Sequence, residues 1–184
     1  MNVFEAKIPD IKIIEPKRFG DNRGCFFESY NEERYFQNGI LVRFVQDNCS
    51  KSCIGTIRGL HYQLAHPQAK LVQVIKGEVF DVVVDIRLGS PTFGQWVGEF
   101  LSEENGRQLY IPEGFAHGFC VTADKTIFYY KCSDYYHPED EGGILWSDLN
   151  IGIEWPDLVP VLSDKDLRYD CLNNIPCEML PRYK

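Results

Sequence analysis

Apolar residues recur at two-residue spacing through most of the chain, in short runs. Val79 to Ile86 shows the pattern best. An extended strand there puts Val79, Asp81, Val83 and Asp85 on one face and Phe80, Val82, Val84 and Ile86 on the other. The second face is wholly apolar and belongs to a core, while the first mixes valines with carboxylates. Comparable runs rich in Val, Ile, Phe and Tyr are separated by turn signals: Phe19-Gly20-Asp21-Asn22, Asn38-Gly39, Lys76-Gly77, Leu88-Gly89-Ser90-Pro91, Glu104-Asn105-Gly106, Pro112-Glu113-Gly114 and Glu141-Gly142-Gly143. That spacing predicts an all-β sandwich or barrel. The expected strands are Ile11 to Ile14, Cys25 to Glu28, Val42 to Asp47, Gly55 to Gln63, Lys70 to Lys76, Glu78 to Arg87, Trp96 to Leu101, Gln108 to Ile111, Gly118 to Ala123 and Thr126 to Cys132.

Helical signals are few. Asn31 is placed to cap Glu32 to Asn38, with acids in the first turn and Gly39 behind the last. Ser163-Asp164-Lys165-Asp166 reads as a capping box with Asp in place of Glu, opening a turn near the C-terminus. Asp166 therefore has a purely structural reading. No repeat, low-complexity segment or linker interrupts the chain, which predicts one domain over residues 1–184, with a helical tail over about 163–184.

Composition narrows the choice of partner. With 184 residues, 44% of them apolar and 14% aromatic, the chain can bury an independent core. Its 27 acidic and 19 basic side chains give a net charge of -8, which disfavours nucleic acid and anionic membranes as partners. An anionic ligand would need a local basic pocket. The seven cysteines (Cys25, Cys49, Cys53, Cys120, Cys132, Cys171 and Cys177) are odd in number and form no C-x-x-C, so free thiols in a reducing compartment are expected. Cys49 and Cys53 lack the further ligands of a zinc site. Glu5 and Asp10 interrupt the N-terminus, so no signal peptide is expected, and Asp81 and Asp85 break the longest apolar stretch, far short of the ~20 residues of a membrane span. The expected location is the cytoplasm.

Histidine is scarce, limited to His61, His66, His117 and His137. His61 lies in Arg58-Gly59-Leu60-His61-Tyr62-Gln63, which gathers a guanidinium, a candidate base and an amide. Strict alternation puts His61 and Gln63 on one face and Arg58 on the other, unless Gly59 carries a bulge. Asp81 and Asp85 read as structural, partners for buried hydroxyls or for Arg87. The string Pro112-Glu113-Gly114-Phe115-Ala116-His117 resembles the second motif of the cupin superfamily, small jelly-roll barrels. Gly55, His61 and Gly77 then satisfy the first motif, G-x5-H-x-H-x3,4-E-x6-G, but Gln63 stands for its second His and Lys70 for its Glu. An ammonium where Zn²⁺ or Fe²⁺ would sit predicts the barrel without the metal, with Lys70 doing the metal's electrostatic work.

A narrower resemblance covers residues 19 to 166. Asp21-x-Arg23-Gly24, Phe27-Glu28, Gln46-Asp47-Asn48-x-Ser50, Arg58-Gly59-Leu60-His61-Tyr62-Gln63, Lys70-Leu71-Val72, Gly77-Glu78-Val79-Phe80-Asp81-Val82-x-Val84-Asp85-x-Arg87 and Ser90-Pro91-Thr92-x-Gly94 are similar to the dTDP-4-dehydrorhamnose 3,5-epimerase family. So are Ile111 to Phe119, Tyr130-Lys131, Trp146-x-Asp148, Ile153-x-Trp155-Pro156 and Leu162-Ser163-x-Lys165-Asp166.

The resemblance implies inversion of C3 and C5 in a dTDP-linked 4-keto-6-deoxyhexose, in deoxysugar biosynthesis, without cofactor or metal. Both carbons are α to the C4 ketone, so each inversion needs a base, an enolate stabiliser and an acid on the opposite face. By resemblance His61 is the base, Asp166 its orienting partner, Lys70 the oxyanion holder and Tyr130 the acid. Tyr130 shares a strand face with Phe128 and Cys132. The same resemblance puts Arg23, Glu28, Gln46, Asp47, Asn48, Arg58, Gln63, His117, Glu141 and Lys165 around the substrate. It also implies a homodimer whose N-terminal strand, within about 1–16, crosses to the partner. The alternatives are an enzyme inverting C3 alone or isomerising the ketone, a sugar-nucleotide-binding module without turnover, and a metal-dependent cupin dioxygenase or isomerase.

Overall fold

The computed structural model describes residues 1–183. In chain order it contains β1 (Asn2–Glu5), β2 (Lys12–Glu15), β3 (Arg18–Asp21), β4 (Gly24–Phe27), α1 (Glu32–Gln37), β5 (Gln46–Ser52), β6 (Ile57–Gln63), β7 (Lys70–Lys76), β8 (Glu78–Asp85), β9 (Trp96–Ser102), β10 (Gln108–Ile111), β11 (Phe115–Val121), β12 (Thr126–Cys132) and β13 (Glu141–Gly143). A six-stranded sheet, β1-β2-β10-β7-β12-β5, faces a five-stranded sheet, β13-β6-β11-β8-β9, with β3-β4 as a separate hairpin. All pairings between these strands are antiparallel. This is the expected all-β jelly-roll barrel. No helix among the described residues is long and apolar enough to cross a membrane.

The core between the sheets is built from alternate residues. Val72 and Val74, Val79 and Val83, Val97 and Leu101, Phe119 and Val121, and Phe128 meet there. The outer faces are covered too. Phe80, Val82, Val84 and Ile86 pack under the C-terminal third of the chain, against Trp146, Ile151, Trp155 and Leu172. Tyr35, Ile40 and Tyr110 cover Leu71 and Ile14 on the other sheet. Both faces of β8 are therefore buried, and even Asp81 and Asp85 are wholly inaccessible.

Helix α1 forms as its caps predict. The Asn31 side chain accepts a hydrogen bond from Arg34 N at 3.1 Å, and Gly39 follows the last turn at φ +82°. Among the described residues the expected C-terminal helix is absent: Ser163–Asp166 forms only a turn, followed by 3₁₀ segments Leu172–Asn174 and Cys177–Met179. Pro176 and Pro181 interrupt any longer helix, and Leu172, Ile175 and Leu180 pack into the apolar cluster on the outer face of the five-stranded sheet. The strand expected at Val42 begins instead at Gln46, because Val42 and Phe44 pack outward beside Tyr30 and Tyr35. Within residues 1–16, β1 pairs with β2 and β2 with β10.

Candidate active site

Between the sheets lies a cavity of about 860 Å³. The alternation of β12 turns Phe128, Tyr130 and Cys132 into it, and the register sets Tyr130 between Asn48 and Val72 and Cys132 between Gln46 and Lys70. From the opposite sheet come Arg58, His61 and Gln63 of β6 and His117 of β11.

Arg58 reaches this side because β6 is irregular. His61 pairs with His117 and Arg58 with Phe119, so three steps on β6 match two on β11. That extra residue is a bulge, and it brings Arg58 onto the face of His61. Gly59 makes it possible: its φ is +119°, and a Cβ there would lie 2.6 Å from Gly118 Cα and 2.7 Å from the His117 carbonyl.

The base candidate is held by carboxylates. His61 Nε2 lies 2.6 Å from Asp166 Oδ1 and 3.6 Å from Glu141 Oε1, and its ring meets Tyr169 edge-on at 5.7 Å. With Nε2 engaged, Nδ1 is the nitrogen free to take a proton. Asp166 is 3% exposed, and its Oδ2 accepts the Ser163 hydroxyl at 2.9 Å. The turn itself is capped by Ser163, whose Oγ accepts from Asp166 N at 3.2 Å. Cap and dyad thus use different atoms. Burial pushes the Asp166 carboxyl up, but the hydrogen bonds from His61 and Ser163 outweigh it and hold the group below its ordinary value. Glu141 is also held low, against burial, by Lys165 Nζ at 2.5 Å and the Tyr136 hydroxyl at 2.5 Å.

Lys70 has no hydrogen bond or ion pair among the described residues; burial lowers its ammonium from the usual range, with Cys132, Glu141 and Asp81 pulling back. Burial likewise pushes Tyr130 up to about 12, so its hydroxyl keeps its proton at neutral pH. His117 Nε2 sits 2.9 Å from Asp81 Oδ2, and burial drives both partners toward their neutral forms. Lys51, Arg58, Lys70 and Lys165 all line the cavity, and among the described residues only Lys165 has a carboxylate partner. A cavity with unpaired cations suits an anion.

The sequence model of the family described as dTDP-4-dehydrorhamnose 3,5-epimerase matches residues 5–174. This chain belongs to that family. It is 59% identical over 169 residues to the dTDP-4-dehydrorhamnose 3,5-epimerase of Shigella flexneri, covering 91% of this chain and 93% of that protein. With the Escherichia coli K12 enzyme of the same name it shares 49% over 178 residues, covering 95% and 96%. A Legionella pneumophila dTDP-6-deoxy-D-glucose-3,5-epimerase, solved with dTDP-4-keto-L-rhamnose, superposes at TM-score 0.97 and 56% identity over 100% of this chain and 98% of that one. A 3'-monoepimerase from Streptomyces bikiniensis, solved with dTDP-quinovose, gives 0.90 at 33%, covering 97% and 92%.

In this epimerase-family chain the structure brings together His61, Lys70, Tyr130, Asp166, Gln46, Asn48, Arg58, Gln63, His117, Glu141 and Lys165. Three expected substrate ligands lie elsewhere. Asp47 points out of β5, where it pairs with Lys131 at 2.9 Å and accepts from the Tyr129 hydroxyl at 2.7 Å, since alternation separates it from Gln46 and Asn48. Glu28 accepts from Asn31 and pairs with Arg34 at 3.2 Å beside α1. Arg23 stands at the β3-β4 turn, 85% exposed and paired with Asp21. Gln63 borders the cavity but spends its amide on main-chain groups. Asp81 is also reassigned: its partner is His117, not a hydroxyl or Arg87, whereas Asp85 does hold Arg87, Ser90 and Thr92. Tyr136 and Ser50 line the site as well. Ser50 shares the inward face of β5 with Gln46 and Asn48, whereas Tyr136 sits in a loop, where no alternation marks it.

Proposed function

We propose that this cavity inverts C3 and C5 of dTDP-4-keto-6-deoxy-D-glucose, and that His61, Asp166, Lys70 and Tyr130 carry the reaction. The supporting observation is the opposition of groups across the barrel: the His61–Asp166 pair projects from one side and Lys70 and Tyr130 from the facing sheet. A carbon between them has a base on one face and an acid on the other. His61 takes the C–H proton, and the Asp166 carboxylate stabilises the imidazolium that forms. Negative charge moves to the C4 oxygen, where the unpaired Lys70 ammonium lowers the barrel's cost of holding an enolate. Tyr130 returns a proton to the opposite face. Exchange with water resets both groups.

The diphosphate is assigned to Arg58, Lys165 and Lys51, and the pyrimidine end to Gln46 and Asn48. The free thiols are in keeping with a cytoplasmic enzyme. Arg23 and Glu28 serve a second subunit: the β3-β4 hairpin leaves Phe19 54% and Phe26 71% exposed, as suits a homodimer contact. Sedimentation giving only a monomer at micromolar concentration would remove that assignment.

Turnover in D₂O tests the reaction. Deuterium at both C3 and C5 of the dTDP-sugar is expected by NMR. Label at C3 alone would favour the narrower chemistry named for the Streptomyces bikiniensis relative, and label at neither carbon would defeat the proposal.

A further inference from the structure

Gln63 ends β6 two residues from His61 on the same face, and it is 7% exposed. Its Nε2 donates to the His66 carbonyl at 2.7 Å and to the Tyr135 carbonyl at 3.2 Å, while its Oε1 accepts from His137 N at 2.9 Å. A carboxamide has two N–H donors, and both are spent. The segment it grips, 133–141, carries two groups of the site: the Tyr136 hydroxyl donates to Glu141, and Glu141 lies 3.6 Å from His61. Glu141 is also the register partner of Gln63. Further ties run along the loop rim, where Gln68 donates to the Asp134 carbonyl at 2.9 Å, Asp140 accepts from Ala65 N at 2.9 Å and His66 N at 2.7 Å, and the His66 and His137 rings stack at 3.9 Å. Gln63 alone among these makes its grip from the strand that carries the base.

We propose that Gln63 is a positioning residue: its carboxamide fixes segment 133–141 so that Tyr136 and Glu141 face His61, and it does not bind the sugar nucleotide. This rests on the epimerase reading. Its two-sided grip couples the place of the loop to the place of the base, since a slip of β6 or of the loop must break the same three bonds. Gln63→Leu removes the grip and keeps the bulk; Gln63→Glu keeps the acceptor for His137 N but turns an oxygen toward two carbonyls.

Two measurements decide the matter. In hydrogen–deuterium exchange without substrate, Gln63→Leu is expected to raise exchange across 133–141 at least tenfold while β7 and β8 stay protected, which also reports that the variant folds. In turnover, Gln63→Leu and Gln63→Glu are expected to lower kcat about 10- to 100-fold with KM within threefold. The Gln63→Leu/Tyr136→Phe double variant should be no slower than the worse single one. Unchanged exchange in the loop overturns the proposal, as does a raised KM at constant kcat or a multiplicative double variant. If the wild-type protein does not turn over the keto sugar, the epimerase reading falls, and the exchange experiment still judges the clamp.

Discussion

Replacing Asp166 by Asn removes a charge and keeps the shape. In the native site Asp166 Oδ1 holds His61 Nε2 at 2.6 Å, while Oδ2 and the main-chain N–H serve the Ser163 turn. The amide can keep most of those turn contacts. What it cannot do is stabilise the imidazolium formed when His61 takes a proton. Two unit charges about 4 Å apart at an effective dielectric of about 20 attract by about 4 kcal/mol. His61 is 26% exposed, so water weakens the attraction. A loss of about 2–3 kcal/mol remains, which is a fall of about 30- to 150-fold in kcat. Ser163→Ala is the control: it removes the cap, costing about 1 kcal/mol of stability, and leaves kcat within about threefold.

Initial rates from NMR and denaturation midpoints at the same pH separate the two effects. The reasoning is refuted if Asp166→Asn keeps more than a third of the native kcat, or if Ser163→Ala slows turnover as much. The pH dependence has a definite sign. Asp166 is held below its ordinary 3.8, so its contribution to stability is present above pH 3.8 and lost as pH falls through the folded value. The stability gap between native protein and Asp166→Asn should therefore be full at neutral pH and close in acid.

Lys70→Met should lower kcat on the order of 100-fold, about 3 kcal/mol of oxyanion stabilisation, while raising Tm. Burial holds the Lys70 ammonium below 10.5, so folding with that charge is unfavourable below the folded pKa and the penalty vanishes as pH rises to 10.5; Tm scans at pH 7 and pH 10.5 should show the gain shrinking. Asp85→Asn should do the reverse. This wholly buried carboxylate holds Arg87 at 2.7 Å and the Ser90 and Thr92 hydroxyls at 2.6 Å, so urea denaturation should show a loss of about 3 kcal/mol with kcat unchanged.

The bounds of β7, β10 and β12 are legible in the sequence because each is a short run rich in Val, Ile, Leu, Phe or Tyr, with Gly77 directly after β7 and Gly106 and Gly114 on either side of β10. β5 was misplaced for a physical reason. Its inward residues are Gln46, Asn48, Ser50 and Ser52, so a rule that equates inward with apolar looks upstream to Val42 and Phe44. The bulge at Gly59 could be suspected but not chosen, since the close approach that demands glycine comes from Gly118, 59 positions away by number alone. The pairing of Asp81 with His117 was hidden likewise: β8 alternation gives the face of the carboxylate, and only the sheet gives its partner.

The polar inward face of β5 also explains where the cavity is. Across the six-stranded sheet, one inward row runs Asn48, Tyr130, Val72, Leu109, and the next runs Gln46, Cys132, Lys70, Ile111. Each row begins polar at β5 and ends apolar at β10. The facing sheet repeats the gradient, from Arg58 and His61 on β6 to Val97 and Leu101 on β9. Both polar margins lie on the same side of the barrel, where β5 and β6 are consecutive strands joined through Cys53 and Thr56. Apolar side chains close the β9-β10 side and supply the burial that holds the sheets together. The opposite side lacks that filling, so it stays open and can hold Lys70 and His61 without the full cost of an interior charge. Stability and chemistry are thus divided across the barrel, and substitutions on the polar rows should cost turnover far more than they cost folding.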